Sequence, residues 1–299
     1  MDHWLCFSGG NSLGAFHAGA WAAVENARLK VTRLAGASIG SVMAALIAGN
    51  PPHRRQEALS EFLVAIAQRP FHWNSMTRRS AVAQTLLSGN PTMFTPSFPG
   101  LSEIFPAAPP DASAFLRRPM RRLLEDRIDF DRLNGGEFEL TITALDAETG
   151  EVVRFRTGET RLTVDHLMAS TALPVIFRPV EVEGRWFLDP GLAENLPLPA
   201  LLDREDPARI LAFDLYGLQG CFAPSLNSVA HRAQELMFAS QSRHVLEKGD
   251  LKGRPLLHIV LRDEDDDFVG KAFDYSLQSL RHWQDIGQQI TKNALDRAD

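Results

Sequence analysis

Cysteine is scarce in this chain, which contains only Cys6 and Cys221 among 299 residues. Two cysteines cannot build a disulfide framework, and we expect both to be small buried side chains in a reducing compartment. An excess of positive charge is also missing, since 31 basic residues stand against 37 acidic ones and the net charge is −6. A broad nucleic-acid interface needs such an excess, so nucleic acid is not an expected partner.

Long apolar runs are missing as well. One long uncharged stretch, residues 34–52, is rich in Gly, Ala and Ser and falls short of the roughly 20 apolar residues that a membrane span needs. The opening residues carry no basic segment before a short apolar stretch, so the sequence predicts no secretory signal. We therefore expect a cytoplasmic protein, and a transient contact with a membrane surface stays open.

Strand and helix patterns alternate over the first 50 residues. Apolar strands are predicted at 4–7 and 31–35, and helices at 15–27 and 39–48. This alternation predicts a parallel sheet with right-handed crossovers. Further strands are predicted at 138–145, 151–156, 180–182, 185–188, 210–215 and 257–261, and further helices at 164–170, 228–247 and 273–295. We expect residues 1–299 to form a single α/β domain, a central and mostly parallel sheet with helices on both faces.

Residues 53–130 have a different character. Helices are predicted at 54–68 and 78–87, and proline and aromatic residues are frequent between and beyond them. This stretch is too apolar for a solvated linker, so it either covers the active site as a lid or pads one flank of the core. The basic cluster at 117–122 either meets anionic lipid headgroups or is a solvated helix face.

The most informative motif is Gly36-Ala37-Ser38-Ile39-Gly40, between a predicted strand and a predicted helix. G-x-S-x-G is common by itself, but this context predicts a nucleophile elbow, a sharp turn that presents the serine hydroxyl at a helix N-terminus. Glycine suits both flanks because a Cβ there would collide with neighbouring backbone. The helix N-terminus favours negative charge, so Ser38 is a candidate nucleophile for attack on a carbonyl.

A glycine-rich loop at residues 8–14 follows the first predicted strand. The backbone N–H groups of Gly9, Gly10 and Asn11 can converge on one point, as an oxyanion hole requires. The alternative is a dinucleotide-binding loop. It is disfavoured because Gly-Gly-Asn-Ser-Leu-Gly lacks the second glycine of G-x-G-x-x-G and no acidic residue ends the second strand.

The sequence offers two kinds of catalytic base. The first kind is a histidine, and the candidates that follow the serine in the chain include His231, His244, His258 and His282. Each of these lies in a helix or strand pattern, which is typical of structural histidines. The second kind is Asp189, which ends a strand in a tight Asp-Pro-Gly turn that would aim its carboxylate at the end of the sheet. An Asp-Pro-Gly turn without any catalytic role explains the same residues. The residues by themselves therefore do not decide whether the catalytic base is a histidine or Asp189.

The order of the motifs resembles that of patatin-like phospholipases over most of the chain. The family's four blocks are G-G-G-x-[RK]-G, G-x-S-x-G, A-S-x-x-x-P and D-G-[GA]. Similar residues stand here at 9–14, 36–40, 169–174 and 189–191, and the segments 144–150 and 195–197 are similar to the family's A-T-D-x-x-T-G and N-x-P. Six matches in the right order are far more specific than any one of them.

The resemblance implies a three-layer α/β/α fold, lipid acyl esters as substrates, and a dyad with Ser38 as nucleophile and Asp189 as base. It implies an oxyanion hole in the first glycine block and no metal or cofactor. Partial burial would make the aspartate a stronger base than its ordinary pKa near 4 allows. The positions that support these motifs are Gly14, Gly36, Gly40, Gly191 and Asn195.

Three residues depart from the family pattern. Leu13 replaces a basic residue, Asn11 replaces the third glycine, and Pro190 replaces the glycine after the proposed base. Proline fixes φ near −65° and removes an N–H, so the base turn must differ locally or already suit proline. Two other functions therefore stay open: a hydrolase or thioesterase acting on small soluble esters, and a lipid-binding scaffold that has lost its chemistry.

Overall fold

The computed structural model describes residues 1–68, 78–97, 113–220, 222, 224, 226–263 and 270–298. Cys221 lies outside these residues. So do four aromatic residues of the segment 53–130, namely Phe71, Trp73, Phe98 and Phe105.

The N-terminal half of the fold alternates strands and helices, as predicted. The first strands and helices are β1 (Asp2–Phe7), α1 (Ala15–Asn26), β2 (Val31–Ala37), α2 (Ile39–Ala48), α3 (Arg55–Ile66) and α4 (Arg78–Ser88). A short antiparallel pair and two helices follow: β3 (Thr95–Pro96), β4 (Phe115–Leu116), α5 (Arg118–Arg127) and α6 (Phe130–Asn134).

The C-terminal half completes the sheet. Its elements are β5 (Glu139–Asp146), β6 (Val152–Arg156), α7 (Val164–Ser170), β7 (Val180–Val182), β8 (Arg185–Leu188), α8 (Pro199–Leu202), β9 (Ala208–Asp214), α9 (Leu226–Lys248), β10 (Leu256–Val260) and α10 (Leu277–Asp296). The single helix predicted at 273–295 is instead a 3-10 turn, Lys271–Phe273, followed by α10. The reason is a cap: the Ser276 hydroxyl accepts a hydrogen bond from the Ser279 N–H, which starts a new helix.

The main sheet has the strand order β10-β9-β1-β2-β5-β8-β7, and β6 also pairs with β5. The five strands from β10 to β5 run parallel, whereas β6, β7 and β8 pair antiparallel. Register brings the strand ends together, because Phe7 lies opposite both Gly36 and Phe213. The loops after β1, β2 and β9 therefore leave the sheet at one edge, where open α/β sheets bind ligands.

Side chains of β1 enter two separate cores, because successive residues of a strand point to opposite faces. Leu5 and Phe7 join a cluster built with α1, α2 and α10. Trp4 and Cys6 join a second cluster that includes Leu201 of α8. Helices thus cover both faces of the sheet, and the predicted α/β fold with a mostly parallel sheet is confirmed.

The described parts of the segment 53–130 pack against the main core. Phe94 contacts Phe115 and Phe177 edge to face, with ring centroids 5.1 and 5.3 Å apart, and Met120 and Leu124 of α5 are buried in the same cluster. Residues 69–77 and 98–112, which belong to the stretch 53–130 interpreted as a possible lid, lie outside the described residues. Among the helices that the structure describes, none combines the length and apolar character that a bilayer crossing requires.

Candidate active site

Ser38 lies in the turn between β2 and α2, at the edge where the parallel strands end. Its backbone has φ 53° and ψ −125°, a conformation that costs free energy for any residue with a Cβ. The flanking glycines make the turn feasible. A Cβ on Gly36 would overlap the Ser41 backbone, and a Cβ on Gly40 would overlap the Phe7 carbonyl oxygen. The elbow predicted from the sequence is therefore present.

The Ser38 hydroxyl donates a hydrogen bond to the carboxylate of Asp189, with Oγ and Oδ2 2.6 Å apart. The two residues are separated by 151 positions in the chain. Both are buried, with 6% and 4% of their surface exposed. The fold thus brings together the serine and the aspartate that the sequence analysis singled out.

Asp189 directly follows β8 and is held from two sides. Its N–H donates to the Ala172 carbonyl at 2.9 Å, and its Oδ1 accepts from the Gly191 N–H at 2.8 Å. Burial raises the pKa of Asp189 to about 6, although the hydrogen bonds from Ser38 and Gly191 and the charge of Arg117 act in the opposite direction. A carboxylate with a pKa nearer neutrality is a stronger base.

Pro190 fits the base turn without distortion. It is the first residue of the 3-10 turn Pro190–Leu192, a position whose N–H has no intrahelical acceptor and where proline is favoured. The hydrogen bond to the carboxylate comes from Gly191 instead. The departure from the family pattern at Pro190 therefore leaves Asp189 in contact with Ser38.

The glycine-rich loop lies against the elbow. A Cβ on Gly9 would be 3.0 Å from the Cβ of Ser38, so glycine is required for this approach. The Gly9 N–H donates to the Asn195 carbonyl, and the Asn195 side-chain amide donates back to the Gly9 carbonyl, both at 3.1 Å. The Gly9 amide thus holds the loop in place.

Gly10 and Asn11 differ from Gly9 in how their amides are used. Gly10 caps the 3-10 turn Asn11–Gly14 and Asn11 opens it, with φ 50°. The first N–H groups of a helical turn have no acceptor within the turn, so these two amides are available to a ligand. Further along the turn, Leu13 is fully buried in the core, and a Cβ on Gly14 would lie 2.5 Å from the Ile39 side chain.

Ser170 braces the elbow from the end of α7. Its hydroxyl accepts a hydrogen bond from the Ser38 N–H at 3.0 Å. It is 2.8 Å from the Ser41 hydroxyl, which donates to the Gly36 carbonyl at 2.7 Å. Because a hydroxyl has one proton, Ser170 is the donor to Ser41. The sequence matched the A-S-x-x-x-P block by pattern only, and in the structure the serine of this block contacts the backbone of Ser38.

Gln241 of α9 joins two parts of the site that are far apart in sequence. Its Oε1 accepts from the Asn195 N–H at 3.0 Å, and its Nε2 donates to the Gly191 carbonyl at 3.2 Å. The turn that holds the carboxylate and the residue that holds the glycine loop are therefore bound to one side chain. Sequence reasoning missed Gln241 because it belongs to no motif.

Arg117 belongs to the basic cluster that the sequence analysis assigned to lipid headgroups or to a solvated helix face. The structure separates it from its neighbours: Arg117 is 8% exposed, whereas Arg118 and Arg122 are exposed. Its Nη1 donates to the Met168 carbonyl at 2.9 Å and to the Thr171 hydroxyl at 2.8 Å. Arg117 therefore faces the interior beside the candidate site.

The histidines considered as alternative bases have other partners. His258 lies 3.2 Å from Asp214, His282 2.8 Å from Asp263 and His231 3.3 Å from Glu235. His244 lies on α9 and is exposed. Within the described residues, no histidine hydrogen-bonds to the Ser38 hydroxyl, and no group of three or more His, Cys, Asp or Glu side chains is arranged to hold a metal.

A cavity of about 510 Å³ lies near Ser38 and Asp189, but neither residue lines it. It is found at the ends of β9 and β10, and its lining includes Leu215, Tyr216 and His258. Leu215 also packs against Gly10, since a Cβ on that glycine would be 2.6 Å from Cδ1 of the leucine. The cavity is thus one side chain away from the glycine loop.

Comparisons with known proteins give one family match and several similar solved structures. The sequence model of the family described as patatin-like phospholipase matches residues 5–202. No curated protein sequence matches the chain. Among solved structures, VipD from Legionella pneumophila is similar, with 14% identity, a TM-score of 0.48, and coverage of 99% of this chain and 67% of that one.

Full-length ExoU, solved in complex with SpcU from the type III secretion system of Pseudomonas aeruginosa, is also similar. Its identity is 15% and its TM-score is 0.46. The match covers 99% of this chain and 52% of that one, so the chain spans about half the length of ExoU.

Proposed function

Because the chain belongs to the patatin-like phospholipase family, a family of ester-bond hydrolases, we propose that it is a serine-dependent lipid acyl hydrolase with a Ser38–Asp189 dyad. The observation that supports this most directly is the hydrogen bond of 2.6 Å from the serine hydroxyl to the buried carboxylate. The serine lies in a turn between a strand and a helix, which is the position of the serine in a nucleophile elbow.

In the first step, Ser38 Oγ attacks the ester carbonyl carbon while Asp189 takes the hydroxyl proton. The carbonyl oxygen becomes an oxyanion. We assign its stabilisation to the N–H groups of Gly10 and Asn11, since the Gly9 N–H already binds the Asn195 carbonyl. One such donor contributes about 3 kcal/mol to transition-state stabilisation.

In the second half of the reaction, the tetrahedral intermediate collapses and the bond to the alcohol breaks. Asp189 returns its proton to the leaving alkoxide, which leaves an acyl group on Ser38. A water molecule then attacks the acyl carbon and gives a proton to the same carboxylate, and the serine leaves with that proton as the fatty acid is released. The scheme uses no metal or cofactor.

The pKa of Asp189 near 6 makes this dyad chemically reasonable. An ordinary aspartate with a pKa near 4 is a weak base for an alcohol, and burial moves it toward the range in which general bases are effective. At neutral pH the carboxyl group is still mostly ionised, so the form that accepts the proton predominates.

The test is labelling by a fluorophosphonate probe, together with turnover of a p-nitrophenyl ester series of increasing acyl length. We expect Ser38→Ala to lose labelling and Asp189→Asn to lose about 10²- to 10⁴-fold in rate. The matched controls are Ser240→Ala and Asp126→Asn, which change exposed side chains and should leave the rate unchanged.

Other outcomes would support other functions. Normal turnover by the Asp189→Asn protein would point to a histidine base. A rate that is highest for the shortest esters would favour a hydrolase or thioesterase for small soluble substrates. A folded wild-type protein that does not label at all would favour a lipid-binding scaffold.

A further inference from the structure

Arg117 is a buried cation whose hydrogen-bond partners, among the described residues, are all uncharged. It precedes α5, and its guanidinium lies over the Phe177 ring, 4.8 Å from the centroid. Its hydrogen-bond acceptors, the Met168 and Arg178 carbonyls and the Thr171 hydroxyl, are all uncharged. Within the described part of the chain, no carboxylate forms an ion pair with it. Burying a charge in this way is expensive unless an opposite charge is near.

The acceptors of Arg117 belong to the segment that touches both members of the dyad. Met168 lies in the last turn of α7 and Thr171 caps that helix. Between and beyond them, Ser170 accepts from the Ser38 N–H, and the Ala172 carbonyl accepts from the Asp189 N–H. A guanidinium at a helix C-terminus also satisfies carbonyls that have no intrahelical donor.

The backbone around Arg117 is fixed to the same region. The N–H groups of Ala114 and Phe115 donate to the carbonyls of Val175 and Ile176, at 3.2 and 3.0 Å. These acceptors lie directly after the A-S-x-x-x-P block. The position of the guanidinium is thus set by backbone pairing as well as by its own hydrogen bonds.

We propose that Arg117 is a positioning residue for the dyad: it binds the turn after α7 and keeps the Asp189 carboxylate ionised in its buried site. This inference rests on the proposed function, in which the carboxylate is the base. It gives the buried cation an electrostatic partner, and it explains why one arginine of a basic cluster turns inward.

The groups that face Asp189 come from four places. The Ser38 hydroxyl, the Gly191 N–H and the Arg117 charge lower its pKa against the effect of burial. Tyr216, in the loop after β9, is fully buried and the Asp189 charge helps to raise its pKa. Burial lowers the pKa of Arg117 to about 10, which leaves it charged at neutral pH, while Asp189 raises that pKa and Arg121 lowers it.

Loss of the Arg117 charge should move the acidic limb of the rate profile to higher pH. Without the cation, the pKa of Asp189 rises above 6, because the carboxylate loses a favourable charge. The base is then protonated up to a higher pH, so the acidic limb of the rate profile moves upward. The rate at high pH, where the carboxyl group is ionised in either case, changes little.

The test compares Arg117→Gln, Arg117→Lys and, as matched control, Arg118→Gln. Glutamine retains hydrogen-bond donors and loses the charge, lysine retains the charge, and Arg118 is exposed. The readouts are the pH profile of fluorophosphonate labelling and the titration of the Asp189 carboxyl carbon by ¹³C NMR, with that signal assigned by its loss in Asp189→Asn.

We expect Arg117→Gln to shift both titrations upward by about one pH unit. Labelling at pH 6, relative to labelling at pH 9, should then fall about fivefold in Arg117→Gln and stay unchanged in the control. Arg117→Lys and Arg118→Gln should titrate like the wild type. Equal loss of rate at every pH, with an unchanged carboxyl titration, would show a purely structural arginine and overturn the proposal.

The two proposals fail in different ways. A wild type that labels, with a Gln variant whose carboxyl titration is unmoved, refutes the role of Arg117 and leaves the dyad standing. A wild type that does not label refutes the dyad, and the role of Arg117 with it. Should circular dichroism show that the Gln variant is unfolded, the Lys variant decides: an unmoved acidic limb supports the proposal and a shifted one overturns it.

Discussion

At the scale of single residues, two residues of the candidate site lower the stability of the folded protein. Ser38 has a positive φ, and Asp189 is a buried carboxyl group whose pKa is raised to about 6. An aspartate with a raised pKa stabilises the folded protein below its unfolded pKa near 4, and that contribution is lost as pH rises through 6. Near neutrality the ionised aspartate is therefore a burden on folding.

Replacing Asp189 by Asn should reveal this burden. Relative to the wild type, we expect the free energy of unfolding of Asp189→Asn to be higher at pH 8 than at pH 4.5 by about 2 kcal/mol, because asparagine has no charge to bury. Urea unfolding at the two pH values measures the difference. Asp126→Asn, at an exposed position, is the control, and a difference that does not change with pH would contradict the explanation.

The sequence could supply Ser38 because its motif has a physical reason for its residue types, whereas Asp189 was preferred to the histidines only through the family resemblance. It could not supply Arg117, Gln241 or Ser170 as contacts of the site. Their roles depend on side chains that meet only after the sheet has formed. Arg117 illustrates the limit best, since a run of arginines looks solvated and nothing local marks the one that turns inward.

At the scale of elements, the crossing of α1 and α10 depends on two glycines. A Cβ on Gly19 would overlap the Gln284 carbonyl oxygen, and a Cβ on Gly287 would overlap the Phe16 carbonyl oxygen. Each helix thus presents a glycine to the backbone of the other. The contact carries the fully buried Trp283 into the core.

Gly287→Ala should push these helices apart. We expect a loss of stability of about 1–3 kcal/mol, since the added methyl group meets backbone that cannot move away alone. The control is Gln288→Ala at the neighbouring exposed position, where a change within about 0.5 kcal/mol is expected. Chemical denaturation of both variants and of the wild type measures the effect. Equal denaturation midpoints for Gly287→Ala and the wild type would mean that the two helices make room for the methyl group without a loss of stability.

Most strands and helices could be predicted because their apolar periodicity is strong, as in α2, whose predicted and observed bounds agree. The exceptions have local causes. A capping serine at Ser276 breaks the last helix. The helix α5 was not predicted because it consists largely of charged residues and only two of its residues, Met120 and Leu124, are buried.

At the scale of the whole molecule, the family match and the fold have different extents. The match ends at residue 202, but β9, which starts at Ala208, is a parallel neighbour of β1. Residues from beyond the match also reach the site: the Leu215 N–H donates to the Ser8 hydroxyl at 2.9 Å, and Gln241 binds Asn195. We therefore propose that residues 1–299 form one domain.

A chain ending at residue 202 tests this proposal. We expect it to lose cooperative unfolding and fluorophosphonate labelling together, because β1 loses a strand partner and the glycine loop loses its support. The full chain, as control, should unfold in a single transition by calorimetry. A truncated chain that unfolds cooperatively and labels would place the domain boundary at the end of the family match.

The family and the fold class were predicted from the order of the motifs and the alternation of strands and helices, and both are confirmed. The order of the strands in the sheet could not be predicted from the sequence. Nothing in the segment 208–214 says that it lies beside β1 rather than at an edge, since any buried parallel strand has the same apolar pattern.

The separation of the dyad by 151 residues has a consequence for biosynthesis. A ribosome releases the serine long before the aspartate, and the glutamine of α9 later still. A nascent chain therefore has no assembled Ser38–Asp189 pair until Asp189 has been translated. If the protein hydrolyses lipids, the cell that synthesises it is not exposed to that activity before then.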